Sequence, residues 1–480
     1  MLEKKTLSLL HDALETMERG YARLPAHSPS CADDAEIARV LNDVALRLRD
    51  DYPFFHPLYA GHMQQPPHPV ARLAYALALW INPNNHSAAG GRVGIEMERE
   101  AVAGIARMIG WNRFAGHLCG GGTLANAEAL WVAAQRVPHA PIVASEQSHY
   151  AHERMSRVLG LPFESVPCDA AARIDTHALD ARLARGGVGT VVATLGTTAS
   201  GSVDPLSELL ALRDRYGFRL HVDAAYGGYF ALARDLSTDT RHAFDAISAA
   251  DSIVIDPHKH GLQPYGCSAV LFRDPADASL LGHPFACADF DRASSGSESG
   301  FECSRPGAAA VALWATMQLL PLVNDGEFAA MLRASRAAAL ALHERLRDDQ
   351  RLAVAPCPDL DIVAWAVIGP SASETSEYAR RVLAECARRD LHLSLAQLPR
   401  RCLVTRGTSI GGDDTGVTCL RACLVKAEHA DWVDRIFDII SDATEAVVGA
   451  RASMPISACG VPASGGRAAG QEARASAHPD

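Results

Sequence analysis

Cysteines paired at metal-ligand spacing are missing from this sequence. Twelve are scattered over 480 residues, and no two stand in a Cys-x-x-Cys arrangement. The nearest approach, Cys419 and Cys423, falls in an apolar run that reads as a strand, where a chelating pair is not expected. The scatter points to reduced thiols, and so to a cytoplasmic protein. No stretch reaches the ~18 uninterrupted apolar residues that a membrane span needs. The opening Met1-Leu-Glu-Lys-Lys5 leads straight into an amphipathic helical pattern, without the apolar core of a signal peptide. An excess of positive charge is absent as well. Fifty-six acidic against 45 basic residues leave a net charge of -11, which removes the electrostatic case for nucleic acid or an anionic membrane. No internal repeat is present. What remains is a globular chain, 48% apolar and long enough for more than one domain.

Residues 1–95 read as an N-terminal helical and loop segment, with Ile37, Val40, Leu41, Val44 and Leu48 at helical spacing. Two loops interrupt it, His56–Pro69 and Asn82–Gly91, whose histidines and asparagines fit a pocket wall better than a linker. From 96 to 330 helices alternate with apolar strands. Helices are expected at Glu96–Ile109, Thr123–Arg136 and Leu206–Tyr216, the last with Asp204 as cap, Pro205 in its first turn and Gly217 as stop. Strands are expected at Pro141–Ala144, Thr190–Leu195, Arg219–Val222, Ser252–Ile255 and Ser268–Phe272. Such alternation means an α/β fold with a mostly parallel sheet covered on both faces. Ligands then bind beyond the carboxyl ends of the strands.

Residues 278–305 read as a loop, and Gly307 to about Arg347 as one long helical region. Residues 331–450 read as a smaller C-terminal α+β domain. Its expected strands are Ile362–Ile368, Leu391–Leu395, Cys402–Thr405 and Thr418–Leu424, and its helices Glu374–Arg388 and Ala430–Val448. The Ala-, Gly-, Ser- and Pro-rich 451–480 reads as a disordered tail.

Four short stretches carry chemistry. Lys259 follows the β-branched run Ser252–Ile255 after Pro257 and His258. Partial burial there is expected to lower its amine pKa and make it a nucleophile toward an aldehyde; a plain lysine beside a turn is the alternative. Gly120-Gly-Gly-Thr123 opens a helix, a natural phosphate site, although glycine turns before helices are common. Asp223, in His221-Val-Asp-Ala-Ala-Tyr226, ends a buried strand and needs a cationic partner. A protonated pyridine nitrogen, an arginine or a helix-cap role would each meet that need. The alanines beside it leave room for a flat ring, whose other face His149 could cover. An anchor, a ring sandwich, an acid for the ring nitrogen and a nucleophilic lysine are together the groups that hold pyridoxal 5'-phosphate.

The chain also resembles a known family, the group II pyridoxal-phosphate amino-acid decarboxylases, over roughly residues 35 to 450. The resemblance is carried by Gly116-His-Leu-Cys-Gly-Gly-Gly-Thr-Leu-Ala-Asn126, Ala193-Thr-Leu-Gly-Thr-Thr198, His221-Val-Asp-Ala-Ala-Tyr226 and Asp256-Pro-His-Lys259. The stretches His56–Met63, Asn82–His86 and Pro306–Leu322 are most similar to the bacterial tyrosine and aromatic amino-acid decarboxylase branch. The resemblance implies a type I aminotransferase-like fold and a homodimer with shared active sites. It also implies roles: Lys259 as the Schiff-base lysine, Asp223 on the pyridinium, His149 stacked on the ring, Gly122 and Thr123 on the phosphate. Thr198, Ala225, Asp256 and His258 are implied to complete the cofactor site, with Arg421 structural rather than catalytic.

One departure bears on the product. In amine-forming members a tyrosine on the loop after the lysine reprotonates the carbanion. Here no tyrosine occurs between Tyr265 and Tyr378, and the loop offers Phe285, Phe290, Phe301 and His283. The expected activity is decarboxylation of a small, aromatic L-amino acid to the amine, without metal, nucleic acid or membrane. The alternatives are oxygen-dependent conversion to an aldehyde, another pyridoxal-phosphate lyase reaction, and a non-catalytic binding homologue.

Overall fold

The structure, a computed structural model, describes residues 4–25, 33–281, 300–406, 410–411 and 416–452. Its apolar runs form strands because burial on both faces favours continuous Val, Ile, Leu and Ala over an alternating pattern. The strands are β1 (Ala115–Cys119), β2 (Ile142–Ser145), β3 (Phe163–Val166), β4 (Thr190–Thr194), β5 (Arg219–Asp223), β6 (Ser252–Ile255) and β7 (Ser268–Phe272). They make one seven-stranded sheet in the order β1-β7-β6-β5-β4-β2-β3. Only the pairings of β7 are antiparallel, to β1 and β6; the others are parallel. Asp223 stands opposite Thr194 of β4 and Val254 of β6, so the acid ends the middle strand of the seven-stranded sheet. Strands β1 and β3 had no counterpart among the expected ones. The burial of β3 is mixed, and its single inward valine gives little pattern to read.

The helix expected at Leu206–Tyr216 is present, and Gly217 ends it in the left-handed region at φ 79°. Its cap is not Asp204. Pro205 takes the capping position, and the buried Asp204 carboxylate instead accepts the N–H groups of Ile174 and Thr194, each at 2.7 Å. Burial pushes its pKa up to about 7 even against those two donors. The helical region after Gly307 is two helices, Gly307–Leu319 and Glu327–Asp348. The seven residues between them contain Pro321 and Gly326, both poor helix continuers.

A second, antiparallel sheet is built from β8 (Leu352–Val354), β9 (Ile362–Val367), β10 (Ser394–Pro399) and β11 (Gly416–Cys423), in the order β10-β11-β9-β8. Its core centres on Trp365, packed with Leu342, Val382, Leu420 and Ile440 from the strands and surrounding helices. Two expectations shift here. The strand placed at Leu391–Leu395 starts at Ser394, and Cys402–Thr405 is not a strand. A single 3-10 turn covers Arg400–Cys402, and Val404 makes one isolated bridge to Val354. The nine described cysteines are free, Cys419 and Cys423 included. No helix among the described residues is long and apolar enough to cross a membrane. The expected tail lies outside the described residues from 453 onward.

The two sheets are tied by Asp359, on the approach to β9. Its carboxylate takes Arg173 through two nitrogens, at 2.7 and 3.3 Å, and also the Val203 N–H and Thr240 hydroxyl. Removing one side of a buried pair leaves the other charge unpaired, which costs about 3–5 kcal/mol. Asp359→Ala is therefore expected to lower the urea midpoint of unfolding by an amount equivalent to about that cost. A surface control such as Glu377→Ala, on an exposed pair, should stay within about 0.5 kcal/mol.

Candidate active site

The carboxyl ends of β4, β5 and β6 open onto a cavity of about 630 Å³. Gly122, Thr123, His149, Thr198, Asp223, Ala225, Asp256, His258 and Lys259 all line it. Stretches up to 137 residues apart in the chain thus meet at one end of the sheet, because parallel strands deliver their ends to the same edge.

Strand β6 stops at Ile255, and a turn closed by Lys259 N–H on the Asp256 carbonyl (3.0 Å) places the lysine. Lys259 Nζ lies 3.0 Å from Asp256 Oδ2. The expected lowering of its pKa does not hold. Burial does push it down, but the charges of Asp256 and Asp223 outweigh burial and raise it. Asp256 is buried, accepts the Ser268 hydroxyl at 2.6 Å, and presses against the glycine loop. A Cβ on Gly122 would sit 2.6 Å from Asp256 Oδ2, so no other residue fits there without displacing the carboxylate. His258 is held by its Nδ1 on the Cys267 carbonyl at 2.7 Å, and burial lowers its pKa.

Asp223 accepts Ala225 N–H at Oδ1 (3.1 Å) and contacts His152 Nε2 at Oδ2 (2.8 Å). Its partner within the chain is therefore neither an arginine nor a helix end. Burial pushes the Asp223 carboxyl up, but the His152 hydrogen bond and the charge of Lys259 hold it below the usual carboxylate range. His149 accepts Ala151 N–H on Nδ1 at 3.2 Å, which orients the ring at the start of helix Ala151–Val158. Burial lowers its pKa and favours a neutral, stacking imidazole.

Helix Gly122–Arg136 has no side-chain cap, so its first-turn N–H groups are left for an anion. Thr194 Oγ1, at the end of β4, is buried without a partner and lines the same cavity. An anion cradle, an orphaned hydroxyl, a held carboxylate, a neutral imidazole and a lysine fit pyridoxal 5'-phosphate in size and in donor chemistry.

Some residues were not read from the sequence. Thr194 lay inside a quoted motif, but only the register with Asp223 shows where it ends up. His152 follows His149 by three residues, a helical spacing that could have flagged it. Tyr150, Met155, Tyr265 and Glu302 also line the cavity. From the two N-terminal loops only Met63 does. Asn84 and Asn85 instead brace the chain behind β1: Asn85 Nδ2 donates to Glu98 at 2.7 Å, and Arg305 pairs with the same carboxylate at 2.6 Å. Arg421 donates to the Thr198 and Gly61 carbonyls and to Ser394 Oγ, the contacts of a structural arginine. His283, Phe285 and Phe290 lie outside the described residues, while Phe301 packs edge-on against Trp131.

One buried cluster near β1 has metal-binding residue types. His117, Cys119 and Glu128 bring donor atoms within 4.8 Å of one another. His117 Nε2 and Glu128 Oε2 are 2.8 Å apart, closer than the ~3.3 Å that two ~2.0 Å bonds at a tetrahedral angle impose. They read as a histidine–carboxylate contact, and Phe301 N–H donates to Glu128 Oε1 at 2.8 Å.

Comparison with known proteins agrees with this chemistry. Residues 24–367 match the family described as "Pyridoxal-dependent decarboxylase conserved domain". A probable L-aspartate decarboxylase of Halobacterium salinarum is 31% identical over 324 residues, 66% of this chain and 88% of that protein. A probable L-tyrosine/L-aspartate decarboxylase of Methanothermobacter thermautotrophicus is 28% identical over 64% of this chain and 82% of its own length. The crystal structure of mouse CSAD in apo form superposes with a TM-score of 0.72 at 22% identity, covering 93% of this chain and 92% of that one. That likeness supports the type I aminotransferase-like assignment of the two sheets. The chain belongs to the pyridoxal-dependent decarboxylases and is a pyridoxal-phosphate-dependent carboxy-lyase.

Proposed function

We propose that the protein decarboxylates a small aromatic L-amino acid to its amine, as a cytoplasmic homodimer. The observation that carries the reaction is the meeting of Lys259, Asp223, His149 and the Gly120–Thr123 loop in one cavity. The substrate reading rests on the wall. Met63, Leu124, Tyr150, Met155 and Tyr265 offer apolar and aromatic surface. Lys259 is the single Lys or Arg among the described lining residues, and Glu302 adds a carboxylate. A second side-chain carboxylate, as in aspartate, would meet repulsion rather than a partner there. Assaying the common L-amino acids for CO2, with amine and aldehyde quantified separately, tests this; turnover of aspartate above tyrosine would reverse it.

When bound, the cofactor supplies the electron sink for the charge left at Cα as CO2 departs. The chain's residues do the rest. The first-turn N–H groups of Gly122 and Thr123 hold the phosphate. His149 and Ala225, on the cavity wall, would confine the cofactor ring, and the Asp223 carboxylate, held below the usual range, would take its ring nitrogen. Asp256 holds the Lys259 amine at 3.0 Å, the group that would bind the cofactor's aldehyde. Lys259→Ala should therefore lose the visible absorption band of the bound cofactor and at least about a thousandfold in turnover. Retention of the band would sink the assignment of Lys259.

The choice between amine and aldehyde turns on an acid at Cα. A tyrosine is missing from the loop, but one stands on the wall. Tyr265 lines the cavity although 58% exposed, its ring 4.9 Å from that of His258, and partial desolvation raises its pKa, so the phenol keeps its proton at neutral pH. This favours the amine over the oxygen-dependent aldehyde route. Tyr265→Phe is expected to cut amine formation by about tenfold to a hundredfold, the typical contribution of a positioned acid. It should also raise aldehyde and peroxide in air but not under argon. Unchanged amine yield in that variant would return the proton to a histidine such as His149.

Assembly follows from an uncovered face. Helix Asp34–Leu48 has no buried residue, and Ile37, Val40, Leu41, Val44 and Leu48 are 42–63% exposed along it. A second copy of the chain is the proposed cover. Sizing should give twice 51.1 kDa for the wild type. A Leu41→Glu, Val44→Glu double variant should run as a monomer with little activity, and a persistent active dimer would place the interface elsewhere.

A further inference from the structure

The Asp223 carboxylate has a second holder besides the backbone. His152 lies in the first turn of helix Ala151–Val158 and is fully buried. Its Nε2 is 2.8 Å from Asp223 Oδ2, while its Nδ1 is buried without a partner. The tautomer with its hydrogen on Nε2 is then the one that makes the bond. Asp223 Oδ1 takes Ala225 N–H, so each oxygen has one committed lone pair and keeps another for the cavity that Asp223 lines. The neighbouring histidine offers no competing acceptor. His221 packs edge-on to His152 at 6.2 Å, and both its nitrogens are engaged, by Ser252 Oγ and Asn126 Oδ1, each at 2.8 Å.

A carboxylate held only by one N–H of the next turn could swing or take up a proton. Either would loosen its grip on a ring nitrogen. We propose that His152 is a positioning residue for the decarboxylation, its Nε2–H fixing the Asp223 carboxylate so that the remaining lone pair receives the N–H of the cofactor ring. The proposal rests on the reading of Asp223 as the partner of that nitrogen. The other charged and titratable groups around the pair are Lys259 and His149 toward the cavity and His221 behind it. None of the three is within the hydrogen bonds recorded for either Asp223 oxygen.

The test compares holoenzymes of wild type, His152→Leu, His152→Gln and Asp223→Asn. The readouts are the dissociation constant for pyridoxal phosphate and the pH titration of the bound cofactor's visible band. In His152→Leu, cofactor binding should weaken about tenfold or more, as befits a lost hydrogen bond to a charged group. The band's midpoint should also move. His152→Gln keeps an N–H near the Nε2 position and should return both readouts to within about threefold of wild type. A histidine that merely filled space would alter stability and leave the titration alone. His152→Leu binding and titrating as wild type, while Asp223→Asn changes both, would overturn the role of His152 and leave that of Asp223 standing. His152→Gln losing as much as His152→Leu would overturn it too. Asp223→Asn changing neither readout would remove the reading of Asp223 and this proposal with it. Should His152→Leu not fold, His152→Asn, whose shorter amide falls short of Asp223, takes its place under the same criteria.

Discussion

Holding two buried carboxylates at the end of an apolar sheet is the constraint on which the site depends. Asp223 and Asp256 are both buried at the ends of adjacent strands, where an unpaired charge would be strongly unfavourable. The chain meets this with donors rather than with solvent. Ala225 N–H and His152 hold Asp223; Ser268 and Lys259 hold Asp256. Lys259 is the cation both acids influence, so its ammonium is favoured although its side chain is only 20% exposed. The lysine is therefore primed by position more than by a lowered pKa. A cofactor that brings its own cationic ring nitrogen and a dianionic phosphate changes that balance, and the charges already in place suit it.

The surrounding architecture can be understood as what fixes those few atoms. Parallel β4, β5 and β6 bring Thr194, Asp223 and Asp256 to one edge, and the antiparallel β7 supplies Ser268 from the opposite direction. Gly122 then lets the glycine loop come up against Asp256, a contact any Cβ would block. Behind the loop, Glu98, Asn85 and Arg305 form a buried network around the Leu118 backbone, so the end of β1 cannot drift. The second sheet contributes through Arg421, whose guanidinium reaches the Thr198 carbonyl and so connects β11 to the cavity wall.

Features set by local pattern were legible in the sequence. Strand β6 and β7 have the bounds their apolar runs announce, and the glycine stop at 217 is where the helix ends. The Lys259 and Asp223 motifs stood out because each places a charged residue at the end of a buried strand or in the turn just beyond it. What the sequence conceals is pairing across distance. Asp204 has every local mark of a helix cap, yet two backbone N–H groups from other segments claim its oxygens. The asparagines at 84 and 85 look like pocket residues, yet they brace the turn into the helix that begins at Gly307. Local propensity carries no term for such contacts, and tertiary packing overrides it.

The proposed donor, a phenol on the wall in place of one on a loop, would have a physical consequence for the reaction. A donor carried by a loop reaches Cα only when the loop closes, so proton delivery and exclusion of water are one event. Tyr265 sits six residues after Lys259, on the segment that leads into β7, and is part of the cavity lining in the structure as described. Its position is set by the same turn that sets the lysine. On the proposed reading, protonation at Cα would depend on where the substrate lies along that wall, and much less on the timing of closure. The aromatic and thioether side chains beside it, Tyr150, Met155 and Met63, are suited to holding a flat substrate in that place. If Tyr265 is the donor, as proposed, substrate shape and product identity become two consequences of one surface.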